Sequence, residues 1–274
     1  MFKSLLRSVN LRLPSRLTIV QTVTSLLAPP TCALCGGDGQ RAAEPWGIDL
    51  CCYCEAACPR PELPCPRCAE PAQGGACLRC SEVPPPFDST CALFLYADPV
   101  DQMVTALKFG GELAFGRVLG ILLARELRAR AQRLPHWLVP VPLHGERYRE
   151  RGFNQAEVIA GHVARRLGVR LDTRLLQRVR STAPQSRQSA SARRANIEHA
   201  FVLRPGSRVP PRVALLDDVM TTGSTAAAAA RALRAGGARR IEIWTCARAA
   251  RSGAGATPRP VKLSGPCPPA TPKS

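Results

Sequence analysis

The sequence predicts an α/β fold, a doubly wound and mostly parallel sheet, preceded by a small cysteine-rich module. Three observations carry this. Eight of the thirteen cysteines fall in four Cys-x-x-Cys pairs between residues 32 and 80. From residue 89 onward, apolar strand-like runs alternate with stretches of helical periodicity, the pattern of βαβ units. One of those runs, 213–216, leads directly into two aspartates and a turn rich in Thr, Gly and Ser (VALLDDVMTTGST).

Taken in order, residues 1–28 place Lys3, Arg7, Arg12 and Arg16 before a weakly apolar stretch. Thr18, Gln21, Thr22, Thr24 and Ser25 dilute that stretch. This favours an amphipathic N-terminal segment over a targeting peptide. Residues 29–86 are dense in Cys, Pro and Gly and poor in aliphatics, and residues 87–250 form the larger domain. Strands are expected over 90–96, 137–141, 213–216 and 241–247, with helices over 100–109, 113–133, 154–167 and 225–235. A Ser/Gln/Arg-rich stretch, 181–196, reads as a long loop, and such loops inside compact domains are usually functional. The basic tail, 251–274, holds six prolines and no acidic residue and should be disordered.

Within 29–86, Cys32 and Cys35 with Cys51 and Cys54 form one set, and Cys65 and Cys68 with Cys77 and Cys80 another. Two thiolates two residues apart share one tetrahedral ion, and a second such turn completes its shell. Metal would substitute for the core that this module lacks. The pattern points to two structural zinc sites, a double zinc ribbon, in a reducing, cytoplasmic setting rather than to a disulfide framework. Cys52 and Cys58 could each replace a nominal ligand, and the pairing order could be interleaved. Cys91 and Cys246, in expected strands, read as inert core residues.

The 274 residues carry 38 Lys and Arg against 20 Asp and Glu, a net +18. This favours polyanionic partners such as nucleic acid, phosphorylated small molecules or anionic surfaces, although much of the surplus lies on solvated helix faces. No window reaches the ~18 consecutive apolar residues of a membrane span. The module's own charge is balanced by Asp38, Glu44, Asp49, Glu55, Glu62, Glu70 and Glu82, so arginine patches on the larger domain are the better candidates for nucleic acid. Aromatic stacking platforms are scarce, with three Trp and three Tyr.

The run 213–216 suits a central parallel strand buried on both faces. Asp217 and Asp218 follow it, then Thr221, Thr222, Gly223, Ser224 and Thr225 and a helix. Amides, hydroxyls and a helix N-terminus thus converge where phosphate is stabilised, and Gly223 permits close backbone approach. The paired carboxylates can accept hydrogen bonds from two vicinal sugar hydroxyls. An N-cap would explain one Asp, not two with the turn beyond them, and the Gly-Lys-Ser/Thr element of a Walker loop is absent. Upstream, PVPLHGERYRERGFNQ carries Arg147, Arg149 and Arg151 at alternate positions after a strand end, then Asn154 and Gln155. At the same edge of the sheet these arginines could grip a pyrophosphate. Lys108 either contacts phosphate or only complements a helix end.

The segment 213–225 closely resembles the PRPP-binding motif of type I phosphoribosyltransferases. With Leu107-Lys108-Phe109-Gly110, the PVPLHGERYRERGFNQ run, and Gln185, Arg193 and Asn196 in the long loop, the chain from about Pro29 to Arg248 resembles the ComF family. That resemblance implies a double zinc ribbon joined to a phosphoribosyltransferase-like domain, linked to natural competence and DNA uptake. It also implies that Asp217 and Asp218 hold the ribose hydroxyls and that 221–225 cradle the 5-phosphate, with Mg²⁺ bridging pyrophosphate and ribose oxygens. Arg151, Asn154 and Gln155 lie in the signature, and Gln185, Arg193 and Asn196 in a loop closing over the ligand. The family reaction displaces pyrophosphate from C1 of PRPP, which makes Asp217, Asp218 and Arg151 the catalytic candidates. Two alternatives stand beside a pentosyltransferase with an unknown acceptor. One is a protein that handles single-stranded DNA, alone or with uptake and recombination proteins; the other is a zinc-stabilised scaffold.

Overall fold

The computed structural model describes residues 29–40, 47–130, 133–179 and 200–249. The expectations placed on 1–28, on the loop 181–196 with Gln185, Arg193 and Asn196, and on the tail 251–274 therefore lie outside the described residues. The described residues divide into two compact units, with the boundary between Tyr53 and Cys54.

In the first unit, antiparallel bridges join Thr31 to Asp38 and Gln40 to Ile48. Ile48 and Leu50 are fully buried, a very small apolar centre beside the first cysteine pair. Helix α1 covers Cys52–Ala57.

The second unit opens with the other cysteine turn. Cys65 N–H donates to Glu70 O and Ala69 N–H donates to Cys65 O, both at 2.8 Å. A short helix α2 (Leu78–Glu82) carries Cys80. Then come β1 (Ser89–Leu95), α3 (Val100–Thr105) with a π turn over Ala106–Gly110, α4 (Leu113–Arg130) and β2 (Trp137–Pro140). They are followed by α5 (Gly145–Arg151), α6 (Gln155–Leu167), β3 (Arg170–Leu171), β4 (Leu176–Arg178) and β5 (Phe201–Leu203). The last described elements are β6 (Arg212–Met220), α7 (Ser224–Ala235) and β7 (Arg240–Arg248).

Five strands form one parallel sheet in the order β1-β7-β6-β2-β3, and β4 and β5 pair separately as an antiparallel hairpin. From β2 the chain winds outward to β3, whereas from β6 it winds the other way to β7. The winding reverses between β2 and β6, which are neighbours, and ligands bind open α/β sheets outside the carboxyl ends of strands at such a switch.

Alternate residues of β6 serve two faces. Val213 and Leu215 pack with α7 residues Ala226, Ala229 and Leu233, and Cys65, Cys68 and Cys80 belong to that same apolar cluster. Ala214 and Leu216 are equally buried and face the opposite layer. There α4 and α6 press together because two glycines leave room. A Cβ on Gly116 would sit 2.7 Å from Val158 Cγ1, and one on Gly120 2.6 Å from His162 Cβ and 2.9 Å from Ile159 O.

Three elements differ from expectation in ways that bear on function. The arginine segment after the strand end is a helix, α5, rather than a loop, so Arg147 and Arg151 share a face and Arg149 points away. Its N-cap is His144, which accepts from Glu146 N–H. The helix expected over 100–109 changes to π pitch at Ala106, and such turns recur at functional sites. The central strand runs on through Met220, so Asp217 and Asp218 are strand residues whose side chains leave on opposite faces.

Filling the α4–α6 interface should destabilise the fold by overpacking, which costs typically ~1–3 kcal/mol. Gly120→Val is expected to lower the stability measured by urea unfolding by that amount without changing the far-ultraviolet circular dichroism of the native state. An unchanged midpoint would show that the two helices are free to separate.

Candidate functional site

The crevice lies at the β2–β6 switch. Beyond Met220 the chain turns at Thr221 and Thr222 and reaches Gly223, whose φ of 78° is left-handed and therefore suits glycine. Helix α7 starts at Ser224, with no side-chain cap from Gly223. Thr222 Oγ1 lies 2.9 Å from Ser224 Oγ and accepts from Ser224 N–H. Hydroxyls and first-turn amides thus gather at the positive end of the helix dipole, where an anion is stabilised.

Asp218 is buried and makes an ion pair with Lys108 at 2.5 Å. Gln155 Nε2 donates to its other oxygen at 3.4 Å, and Gln155 Oε1 accepts from Arg151 at 3.1 Å. Arg151 in turn stacks on the Phe109 ring, 5.0 Å from its centroid. Lys108, Arg151, Gln155 and Asp218 are therefore one connected network. Asn154 does something else: it caps α6 by accepting from Ala156 N–H at 3.0 Å and ties it to β2 by donating to Val141 O at 3.1 Å. Burial and the adjacent Asp218 push the Asp217 carboxyl well above the usual carboxylate range, while Lys108 pulls it back. Such a carboxylate pair is stabilised by hydroxyl donors or a cation.

Residues that the sequence did not single out complete the surroundings. Arg178 on β4 is held among charges: burial lowers its pKa, Arg147 adds to that, and Asp217 opposes it. Behind the turn, Arg248 is fully buried. It donates to Cys68 O at 3.0 Å, to Met220 O at 2.9 Å and to Thr221 O, and pairs with Glu70 at 2.5 Å. Arg79 donates to Thr222 O at 3.2 Å. The one signal in the sequence was an arginine directly continuing the apolar run 241–247.

The cysteines gather in sequential pairs. Cys32, Cys35, Cys51 and Cys54 form one cluster and Cys65, Cys68, Cys77 and Cys80 the other, each with its sulfurs within 4.8 Å of one another. Cys52 and Cys58 stand outside both. Zinc–thiolate bonds of about 2.3 Å in a tetrahedron place sulfurs about 3.8 Å apart. Cys35 and Cys51 lie 3.8 Å apart and Cys68 and Cys77 3.5 Å, so both clusters could hold a zinc ion. Burial alone would raise the Cys32 thiol, but the amides of Cys51, Cys35 and Leu34 outweigh it and bring it down to about 7. The amides of Cys77, Cys68 and Arg67 do the same for Cys65, also to about 7. Burial and its sulfur neighbours push Cys80 up, a repulsion that a bound dication reverses. Cys246 is fully buried and Cys91 half-buried in their strands, as core residues.

A parallel sheet with a phosphate-type turn and two carboxylates at its switch point defines a type I phosphoribosyltransferase fold, here preceded by two four-cysteine clusters. The phosphoribosyl transferase domain family matches residues 154–260. The chain is 34% identical over 232 residues to "DNA utilization protein YhgH" of Salmonella typhimurium, covering 81% of this chain and 99% of that protein. It is 34% identical over 179 residues to "Competence protein F" of Haemophilus influenzae, covering 63% and 78%. It is 28% identical over 204 residues to "Competence protein ComFC" of Streptococcus pneumoniae, covering 73% and 87%. The chain belongs to the ComF family. Among the described residues, no helix is long and apolar enough to cross a membrane.

Thiol modification of the purified protein is expected to release about two zinc ions per chain, as four-thiolate tetrahedral sites predict. Cys32→Ser and Cys65→Ser should each remove about one of them, read by a colorimetric chelator. Release of no zinc by the unaltered protein would count decisively against both sites.

Proposed function

We propose that the chain binds PRPP with Mg²⁺ at the carboxyl edge of its sheet and transfers the phosphoribosyl group to an acceptor, in a cytoplasmic pathway of DNA uptake. The observation that carries this is the meeting of Asp217 and Asp218 with the Gly223 turn and the start of α7 at the strand-order switch. In this reading Thr221, Thr222, Ser224 and Thr225 and the amides around Gly223 bind the 5-phosphate. Asp217 and Asp218 accept from the ribose hydroxyls and, with the phosphates, supply the oxygen ligands that Mg²⁺ prefers. When bound, Mg²⁺ neutralises charge on the leaving pyrophosphate. Arg147 and Arg151, on one face of α5, extend positive charge over the same crevice, and positioning with electrostatic stabilisation is the protein's main contribution. Lys108 pairs with Asp218 and orients it.

Calorimetric titration with PRPP and Mg²⁺ tests this. Asp217→Asn with Asp218→Asn should abolish saturable binding and PRPP-dependent thermal stabilisation. The ligand-free Asp217→Asn protein should be no less stable than the unaltered one. A carboxyl whose folded pKa is raised costs stability as pH rises above its unfolded value, and the amide removes that cost. Retained stabilisation in the double variant would sink the ribose assignment.

A second reading, single-stranded DNA binding, is favoured by a different surface. At the amino ends of β1, β6 and β7 lies a cleft of ≈ 820 Å³ lined by Arg130, Arg133, Arg212 and Arg240. Glu242 answers both Arg212, at 4.0 Å, and Arg240, at 3.1 Å, and Glu126 pairs with Arg130, so four arginines meet two carboxylates. Pro66 lines this cleft, and the next residue, Arg67, lines a smaller one of ≈ 400 Å³ with Arg231 and Arg234. Arg133→Ala with Arg240→Ala is expected to weaken binding of a short oligonucleotide. It should also flatten the dependence of log affinity on log salt by about 0.7 for each phosphate that the variant no longer neutralises. Equal affinity and slope would remove this cleft from the DNA path.

A further inference from the structure

We infer that the second cysteine cluster forms the rear wall of the phosphate-binding turn, with Arg79 and Arg248 as positioning residues, so that metal at Cys65, Cys68, Cys77 and Cys80 and sugar phosphate at 221–225 bind cooperatively. The inference rests on the phosphate site proposed above.

Three consecutive carbonyls of the turn accept from two guanidinium groups. Met220 O and Thr221 O accept from Arg248, and Thr222 O accepts from Arg79. In a planar trans peptide the N–H points opposite to the C=O. Drawing these carbonyls rearward therefore turns the amides of Thr221, Thr222 and Gly223 outward, the orientation in which successive N–H groups make an anion-binding concavity. Neither arginine holds its position alone. Arg79 stands inside the Cys77-x-x-Cys80 turn. Arg248 is fixed by Cys68 O at 3.0 Å and by the carboxylate of Glu70, two residues beyond Cys68. The sulfur-bearing residues lie in the same apolar cluster as Ala226, Ala228 and Ala229 of α7, the helix whose N-terminus faces the phosphate.

The segment carrying Glu70 and Arg79 has few aliphatic residues of its own, so metal is what gives it a fixed shape. Loss of that ion frees Glu70 and Arg79, lets the three carbonyls turn, and removes the amides from the phosphate. Coupling of binding free energies is reciprocal, so bound sugar phosphate must tighten metal binding at this cluster by the same factor. Neither guanidinium that grips the turn belongs to the first cluster, Cys32, Cys35, Cys51 and Cys54, which therefore serves as the internal control.

The test uses the full-length, zinc-loaded protein and ribose 5-phosphate without Mg²⁺, so that only zinc reports to a colorimetric chelator. Zinc withdrawal by increasing chelator is expected in two steps, assigned with Cys35→Ser, which deletes the first-cluster step. Ribose 5-phosphate should raise the chelator concentration that half-empties the second cluster at least about fivefold, within the usual range of coupling between sites, and leave the other step unchanged. Arg79→Ala, at a partly exposed position, should still bind two zinc ions per chain, bind ribose 5-phosphate roughly tenfold more weakly, as loss of a charge-assisted hydrogen bond predicts, and lose the shift. Arg79→Lys should restore part of both. If the unaltered protein binds ribose 5-phosphate but gives up second-cluster zinc at the same chelator concentration, or if Arg79→Ala binds it equally well, the coupling is overturned and the phosphate site stands. If the unaltered protein binds no ribose 5-phosphate, the site itself falls and the coupling with it.

Discussion

The guanidinium of Arg248 is wholly withdrawn from water, and the geometry of the functional edge follows from how its five donors are met. Moving such an ion out of water costs several kcal/mol unless it is paired and hydrogen-bonded. Here Nε meets Cys68 O, one terminal nitrogen meets Met220 O, Thr221 O and Ala249 O, and the other meets Glu70. Every one of these partners must hold its place, because an unmet donor at this depth would be destabilising. The constraint runs outward in two directions. It fixes the turn after β6, and it fixes the cysteine turn around Cys68, so two segments far apart in sequence become one rigid piece.

Against that fixed turn, the opposite wall of the crevice is built from softer interactions. Lys108 reaches Asp218 from a π turn, and Arg151 reaches it through Gln155, while its own guanidinium rests on Phe109. Of these, only the Lys108–Asp218 contact is an ion pair; the links through Gln155 are hydrogen bonds to a neutral amide, and this looser set is more easily exchanged for ligand oxygens than the contacts around Arg248. A rigid anion cradle facing an exchangeable network of carboxylate, lysine and arginine suits a ligand whose phosphate is held constantly while its sugar hydroxyls displace internal partners.

Much of this architecture was legible in the sequence because its signals are local. The continuous apolar run before Asp217 announced a central parallel strand, the Thr-Thr-Gly-Ser-Thr turn announced a helix N-terminus, and Cys-x-x-Cys spacing announced sulfur clusters. What stayed hidden was set by partners distant in the chain. Arg178 reads as one more basic residue until β4 is seen beside Asp217, and Arg79 reads as part of a charge-balanced module until its turn meets Thr222. The arginines of 145–151 misled for a different reason: an i, i+2, i+4 pattern fits a loop, but the His144 cap and the absence of a helix breaker between Glu146 and Arg151 favour a helix. Asn154 illustrates the reverse case, a signature residue whose side chain is spent on capping α6 and anchoring it to Val141.

One strand also separates the two proposed ligand surfaces. β6 begins with Arg212 in the basic cleft and carries Asp217 and Asp218 toward its other end. At about 3.3 Å per residue, the roughly five to six steps between them span roughly 16–20 Å. The proposed sugar-phosphate and nucleic-acid surfaces are therefore too far apart to be two ends of one short ligand. They share only the rigid sheet between them. The charges at the two edges differ: the carboxyl edge sets Lys108 and Arg178 against Asp218 and Asp217, whereas the amino edge sets Arg130, Arg133, Arg212 and Arg240 against Glu126 and Glu242. The two proposed surfaces do not compete for residues, because each draws on a different end of the same strands.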